Sequence, residues 1–259
     1  MLKNSLLWEL VPPESDSISF LFGTMHVKDE IAYKHINRVI PKLSWCDALM
    51  SEIDLDRALT EVPTETYMIP NGSLSSLLSQ SKFEKYRRVM LKTYKIDLNH
   101  FKHLYPLVIF NKITETLLSS DRAVSLDSYL WNKAKEYKLD TSGIEDLHDH
   151  VSLIGKLEME VQLKMLKSVI KNTGAFKRSL HKVTQLYAEE KIQTLYKYTK
   201  ASMGSFREPL IYNRNRIMAE KINNNQNQKC FYAVGAAHLA GNKGVLRLLK
   251  QMKYKLKPI

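Results

Sequence analysis

Residues 17–26 read SISFLFGTMH, and residues 229–238 read KCFYAVGAAH. Each is a short apolar run rich in β-formers, closed by a glycine with a histidine three places later. Runs of this length, bounded by turn residues, favour buried strands over helices. A glycine at a strand end tolerates backbone angles that other residues resist, so the chain can turn sharply there. His26 and His238 are therefore expected at the carboxyl edge of strands, where open α/β sheets bind their ligands. Two copies of one strand–Gly–x–x–His turn bring both imidazoles to one edge if the strands are neighbours.

Working outward, ALMSEIDL at residues 48–55 is a third strand, with a weaker one at residues 140–144. The apolar segment 6–11 and the strand in 17–25 flank a polar stretch, which predicts a hairpin opening the sheet. The closing residues YKLKPI alternate as an edge strand does, with Pro258 tolerated near its end. Apolar residues at spacings of three and four mark amphipathic helices over 81–95, 125–137, 151–171, 179–199 and 209–223. Pro209 suits a first helical turn. The expected fold class is α/β: a mixed central sheet with G-x-x-H turns at strand ends, covered by helices that include a helical cap. One domain is expected, with its core in residues 1–58, 121–150 and 205–259 and cap segments at 59–120 and 151–204.

A formal charge of +12 favours anionic partners by long-range attraction. Its lysines and arginines are nevertheless scattered along helical stretches, and no nucleic-acid-binding motif is present, so no nucleic-acid partner is expected. Cys46 and Cys230 cannot build a disulfide framework and read as buried reduced thiols. The opening residues MLKNSLLWEL lack the apolar length and cleavage site of a secretory leader. No stretch approaches the roughly 18 apolar residues of a membrane span. As read, the chain is cytoplasmic, or exported if a leader has been removed.

Glu52 lies in the third strand, between Met50 and Ile53. A buried carboxylate must be paired, metal-bound or shifted in pKa. Asp54 shares its face nearer the solvent edge, and Glu145 ends the weaker strand in the same way, as a second carboxylate candidate. Arg214, on the helical stretch after Pro209, can aim its guanidinium at a substrate carboxylate or a developing oxyanion, whereas Arg216 is expected in solvent. His35, His100, His103 and His181 fall on helical or polar stretches as surface or capping groups. His148 lies in a polar run, and His150 precedes a helical pattern that it can begin; neither is assigned a role.

Taken in order, LLWEL, FLFGTMHV, SEIDL, SLDSYL, GIEDL, YNRNRIMAEKI and YAVGAAHLAGNKGVLRLLKQMKY resemble the TraB/GumN family, which includes the TIKI-type proteases. The resemblance covers nearly the whole chain and is tightest at the two histidine turns. It implies functional positions at His26, Glu52 and His238, supported by Glu145 and Arg214. One departure is visible: Lys253 stands where the family has a glycine ahead of Tyr254. The family's TIKI branch implies metal-dependent peptidase activity, and other branches imply pheromone shutdown or polysaccharide functions. Imidazoles and a carboxylate suit Mn²⁺, Co²⁺ or Zn²⁺ with open positions for water. His26 and His238 would then be ligands, with Glu52 a third ligand or the general base acting on a peptide or small-molecule substrate. Arg214 would stabilise the oxyanion. A metal-free esterase-like hydrolase with a histidine base oriented by Glu52, and a non-catalytic peptide-binding protein, are the alternatives.

Overall fold

In a computed structural model, residues 3–118 and 120–259 are described. Met1, Leu2 and Ser119, at the ends of the segments assigned above, lie outside them. Six strands form one mixed sheet: β1 (Leu7–Val11), β2 (Ser19–Thr24), β3 (Ala48–Ser51), β4 (Asp140–Gly143), β5 (Cys230–Gly235) and β6 (Lys255–Pro258), in the order β4-β3-β5-β2-β1-β6. β4, β3, β5 and β2 run parallel, while β1 is antiparallel to both β2 and β6. β1 and β2 form the opening hairpin, and β6 is an edge strand.

The central strands β2, β3 and β5 are buried almost throughout, as parallel strands covered on both faces must be. Around them lies a core that includes Leu21, Phe22, Leu49, Phe231, Leu130, Met218 and Leu246. The chain divides into two compact units. The sheet unit takes residues 3–61, Ser120–His150 and Val183–Ile259; the other takes residues 62–118 and Val151–Lys182. The second unit is helical and has its own core, which includes Leu74, Phe83, Met90, Ile109, Leu166 and Ile170. Residues from Val183 to Met203, part of the cap expected from sequence, belong with the sheet unit.

Two long helical patterns are broken. Residues 151–171 separate into Leu147–Lys156 and Met159–Lys171, and residues 179–199 into Thr173–Ala188 and Ile192–Met203. At the second break Glu190 takes a left-handed conformation, φ +55°, which no helix continues through. The stretch from Pro209 opens as a π-helical turn, Glu208–Tyr212, before the α-helix Asn213–Asn224. Among the described residues, no helix is long and apolar enough to cross a membrane.

The helix Val245–Gln251 ends in a Schellman closure: Tyr254 N–H donates to Leu249 O at 3.1 Å and Lys253 N–H to Lys250 O at 3.2 Å. That closure requires a left-handed residue, and Lys253 supplies it with φ +68°. A side chain there is strained, which is the physical content of the departure noted above. Lys253→Gly is expected to stabilise the protein by about 1 kcal/mol, seen as a higher urea midpoint with unchanged activity.

Candidate functional site

All four parallel strands end at the same edge, and each delivers a chemical group just beyond its last residue. His26 follows β2, Glu52 follows β3, Glu145 follows β4 and His238 follows β5. Glu52 thus lies one place past its strand rather than inside it. The ladder between β3 and β4 carries on past both strands: Ile144 N–H donates to Ser51 O at 2.8 Å and Glu145 N–H to Glu52 O at 2.9 Å. This pins the two carboxylate-bearing residues side by side.

Arg214 binds them together. Its Nε donates to both oxygens of Glu145, at 3.0 and 2.9 Å, and its Nη2 donates to Glu52 Oε2. Nη1 donates to Leu210 O at 3.3 Å, within the π-helical turn, and reaches His238 Nε2 at 3.4 Å. The Arg214 side chain is 11% exposed and that of Glu145 is 4% exposed, so this is a buried charge network. Arg216, two places on, is exposed and pairs with Glu208, as expected of a solvent-facing residue.

His238 is buried, and its Nδ1 lies 2.6 Å from Asn215 Oδ1. The Asn215 amide is oriented by its Nδ2, which donates to Lys243 O at 2.6 Å. An amide oxygen only accepts, so His238 carries its proton on Nδ1 and turns the Nε2 lone pair toward Arg214. Burial pushes His238 down to about 4; the Glu52 charge opposes this and the Arg214 charge adds to it. Burial alone would raise the Glu52 carboxyl, but the Arg214 guanidinium, His238 and the Gly235 N–H hold it well below the usual carboxylate range.

The two motif glycines act through space, not through unusual angles. Neither has a positive φ. A Cβ on Gly235 would meet Glu52 Oε1 at 3.0 Å, and it is the Gly235 N–H that donates to that oxygen at 2.6 Å. A Cβ on Gly23 would meet Leu239 Cδ1 at 2.6 Å.

His238 Nε2 lies 3.8 Å from Glu52 Oε1 and His26 lines the same cavity as Glu52, but among the described residues these three do not form one cluster of converging ligand atoms as the sequence reading expects. Among the described residues, the group able to hold a metal ion is Glu52, Glu145 and His150, whose donor atoms lie within 4.8 Å of one another. His150 sits in the first turns of the helix Leu147–Lys156, with Nδ1 3.1 Å from Glu145 Oε2. Its signal in the sequence was its place five residues after a strand-ending glutamate, where the next helix begins. Asn215 was also missed, although it neighbours Arg214. His26 is 69% exposed, with Nδ1 3.2 Å from Asp127 Oδ2. A cavity of about 210 Å³ is lined by Thr24, His26, Glu52, Asp127, His150 and Gly235, among others. It is the candidate substrate site. Asp54 serves elsewhere, accepting from Arg57 N–H at 3.0 Å at the start of the helix Leu55–Glu61.

The donor set fits a divalent ion. Two carboxylates and an imidazole are the hard and borderline ligands that Mn²⁺, Co²⁺ and Zn²⁺ take. Their two negative charges exceed the single positive charge of Arg214, and the neighbouring His238 is held neutral.

The TraB/PrgY/gumN family model matches residues 6–258. The chain belongs to the TraB/PrgY/gumN family. Among curated proteins this family member is similar to metalloprotease TIKI2 of Danio rerio, 23% identical over 98% of this chain and 60% of that protein. It is likewise similar to metalloprotease TIKI1 of Xenopus tropicalis, 24% identical over 97% of this chain and 61% of that protein. The chain therefore spans about 60% of the length of these relatives.

Two outcomes are expected from this family member's charge network. Arg214→Met leaves two carboxylates without their cation, so unfolding at neutral pH should become easier by about 3–5 kcal/mol. Because His238 binds its proton less readily folded than unfolded, stability should fall as pH drops from about 6.5 through about 4. His238→Gln should flatten that slope in acid titrations followed by circular dichroism.

Proposed function

We propose that the protein is a metal-dependent hydrolase of peptide or amide bonds, with the ion held by Glu52, Glu145 and His150. The observation that carries this is the convergence of those three donors at the carboxyl edge of the parallel strands, Glu52 and His150 opening on the cavity. The similar proteins named metalloproteases support both the metal and a peptide substrate. Held by these residues, a divalent ion would supply Lewis acidity for activating water and polarising the scissile carbonyl.

The chain's own residues supply the rest. Arg214 aims both carboxylates and holds Glu52 well below the usual carboxylate range, so that Glu52 is ready to act as a ligand. His150 Nδ1 lies 3.1 Å from Glu145 Oε2 and 3.4 Å from Arg214 Nη2, so the imidazole is held beside both carboxylate and guanidinium. His238 and Asn215 brace Arg214 from the buried side. In this arrangement Arg214 organises the site rather than facing the oxyanion, and His238 acts through it.

A second reading keeps the cavity but omits the ion. It is favoured by the guanidinium itself, a permanent cation already satisfied by both carboxylates. His26 would then be the base on water, oriented by Asp127 and not by Glu52.

Incubation with a panel of peptides, before and after exhaustive chelation, separates the two. Loss of turnover on chelation, restoration by Mn²⁺, Co²⁺ or Zn²⁺, and at least 10-fold weaker metal binding in His150→Ala are expected. Full turnover in the metal-stripped protein would remove the metal-dependent reading and select the metal-free one.

A further inference from the structure

We propose that Asp127 is the positioning residue for His26, and that the pair moves the proton in the cavity's reaction; the proton step rests on the hydrolase reading above, while the pairing does not. Asp127 lies in the first turn of the helix Leu126–Glu136, whose N-cap Ser125 accepts from Ser128 N–H at 3.3 Å. A carboxylate is favoured at that end of a helix by the exposed N–H groups and the helix dipole. Both of its oxygens are committed to the exit of β2. Oδ1 accepts from Thr24 Oγ1 at 2.6 Å, and Oδ2 lies 3.2 Å from His26 Nδ1.

The same helix start is fastened to the same turn by the backbone. Leu126 N–H donates to Val27 O at 3.3 Å, and Arg122 N–H donates to Lys28 O at 3.0 Å. Tyr33 Oη donates to Val124 O at 2.6 Å from the following 3₁₀ turn, Glu30–Tyr33. Thr24, His26 and Asp127 also line one cavity together with Glu52 and His150. Such scaffolding is more than an exposed surface ion pair requires. A largely exposed imidazole samples several rotamers and both tautomers; tied through Nδ1 to an ionised carboxylate, it keeps the proton on Nδ1 and presents Nε2 as its basic atom.

In amide hydrolysis the water oxygen bonds to the carbonyl carbon while one water proton passes to His26 Nε2. Nε2 then delivers that proton to the amide nitrogen as the C–N bond breaks, leaving a carboxylic acid and an amine. Asp127 takes no proton in either transfer and holds the imidazolium that forms between them.

Asp127→Asn keeps size and the contact with Thr24 but removes the anionic acceptor. We expect kcat to fall about 100-fold with KM changed less than about 2-fold, because the loss is in proton transfer. Nitrogen-15 imidazole spectra, assigned with His26→Gln, should show His26 protonated on Nδ1 in the parent protein and no longer predominantly so in Asp127→Asn. Circular dichroism and the unfolding midpoint report whether the variant is folded. Thr24→Val, which leaves the Asp127–His26 contact in place, should keep the parent tautomer. An unchanged tautomer in folded Asp127→Asn, or an unchanged kcat, overturns the proposal. Should the parent protein hydrolyse nothing, the hydrolase reading fails on its own, and the tautomer still decides whether Asp127 positions His26.

Discussion

The Arg214 guanidinium, buried between Glu52 and Glu145, is the interaction on which the sheet's carboxyl edge depends. Two carboxylates fixed side by side by the β3–β4 ladder would repel each other and lose most of their hydration. Only a cation of matching geometry makes that tolerable. A lysine could offer charge without the fork, whereas the guanidinium reaches both acids, Leu210 O and His238 from one plane. The π-helical turn Glu208–Tyr212 belongs to the same device. It precedes the helix that carries Arg214, and such turns recur at functional sites because they reset side-chain direction within a helix. Asn215, one place on, uses the same helical turn to hold His238.

Backbone closeness is the second constraint. Glu52 reaches the Gly235 N–H only because nothing projects from Cα of Gly235. A glycine is needed there for approach, whereas Gly241 is needed both for its angle, φ +93°, and for the Tyr196 ring, which lies 2.3 Å from where a Cβ would be. From sequence the two roles look alike, and the motif glycines were assigned the wrong one. Lys253 shows the converse, a left-handed position occupied by a residue with a side chain.

The sheet was largely legible, and the convergence of the two motif histidines was not. Hairpin, edge strand and the runs around Phe22, Leu49 and Phe231 could be read because burial on both faces demands continuous apolar residues. β2 and β5 are indeed neighbours, but in register Gly23 faces Val234 and Thr24 faces Gly235. The motifs are therefore offset by one residue, and in a strand a shift of one moves a side chain to the opposite face. Beyond the strands the paths differ again, since Ala236–His238 coils into a 3₁₀ turn that buries its histidine while His26 stays exposed. Asp127 goes unmarked in the sequence, and His150 reads only as a helix start without a role, for a related reason. Each sits at a helix start whose distance from its partner is set by tertiary structure, and the local pattern around it looks like ordinary capping. The helical breaks at residues 157–158 and 189–191 were invisible because apolar spacing can continue across a turn that the backbone does not.

The three imidazoles at this edge share one arrangement. His26 Nδ1 faces Asp127, His150 Nδ1 faces Glu145, and His238 Nδ1 faces Asn215, each an oxygen acceptor. For His238 the amide oxygen fixes Nδ1 as donor, whereas His150 Nδ1 also lies 3.4 Å from Arg214 Nη2, a pure donor, so its ring sits between an acceptor and a donor. The acceptors differ in charge. Two are carboxylates, able to support a ring that gains a proton or binds a cation; the third is a neutral amide in a buried setting, which leaves His238 neutral. One fold edge thus holds rings suited to different tasks: two open to the cavity and backed by anions, and one inside that accepts from a guanidinium. The division follows from which carboxylates the parallel strands and the following helices bring within reach, so the chemistry of the edge is set by its outer partners as much as by the histidines.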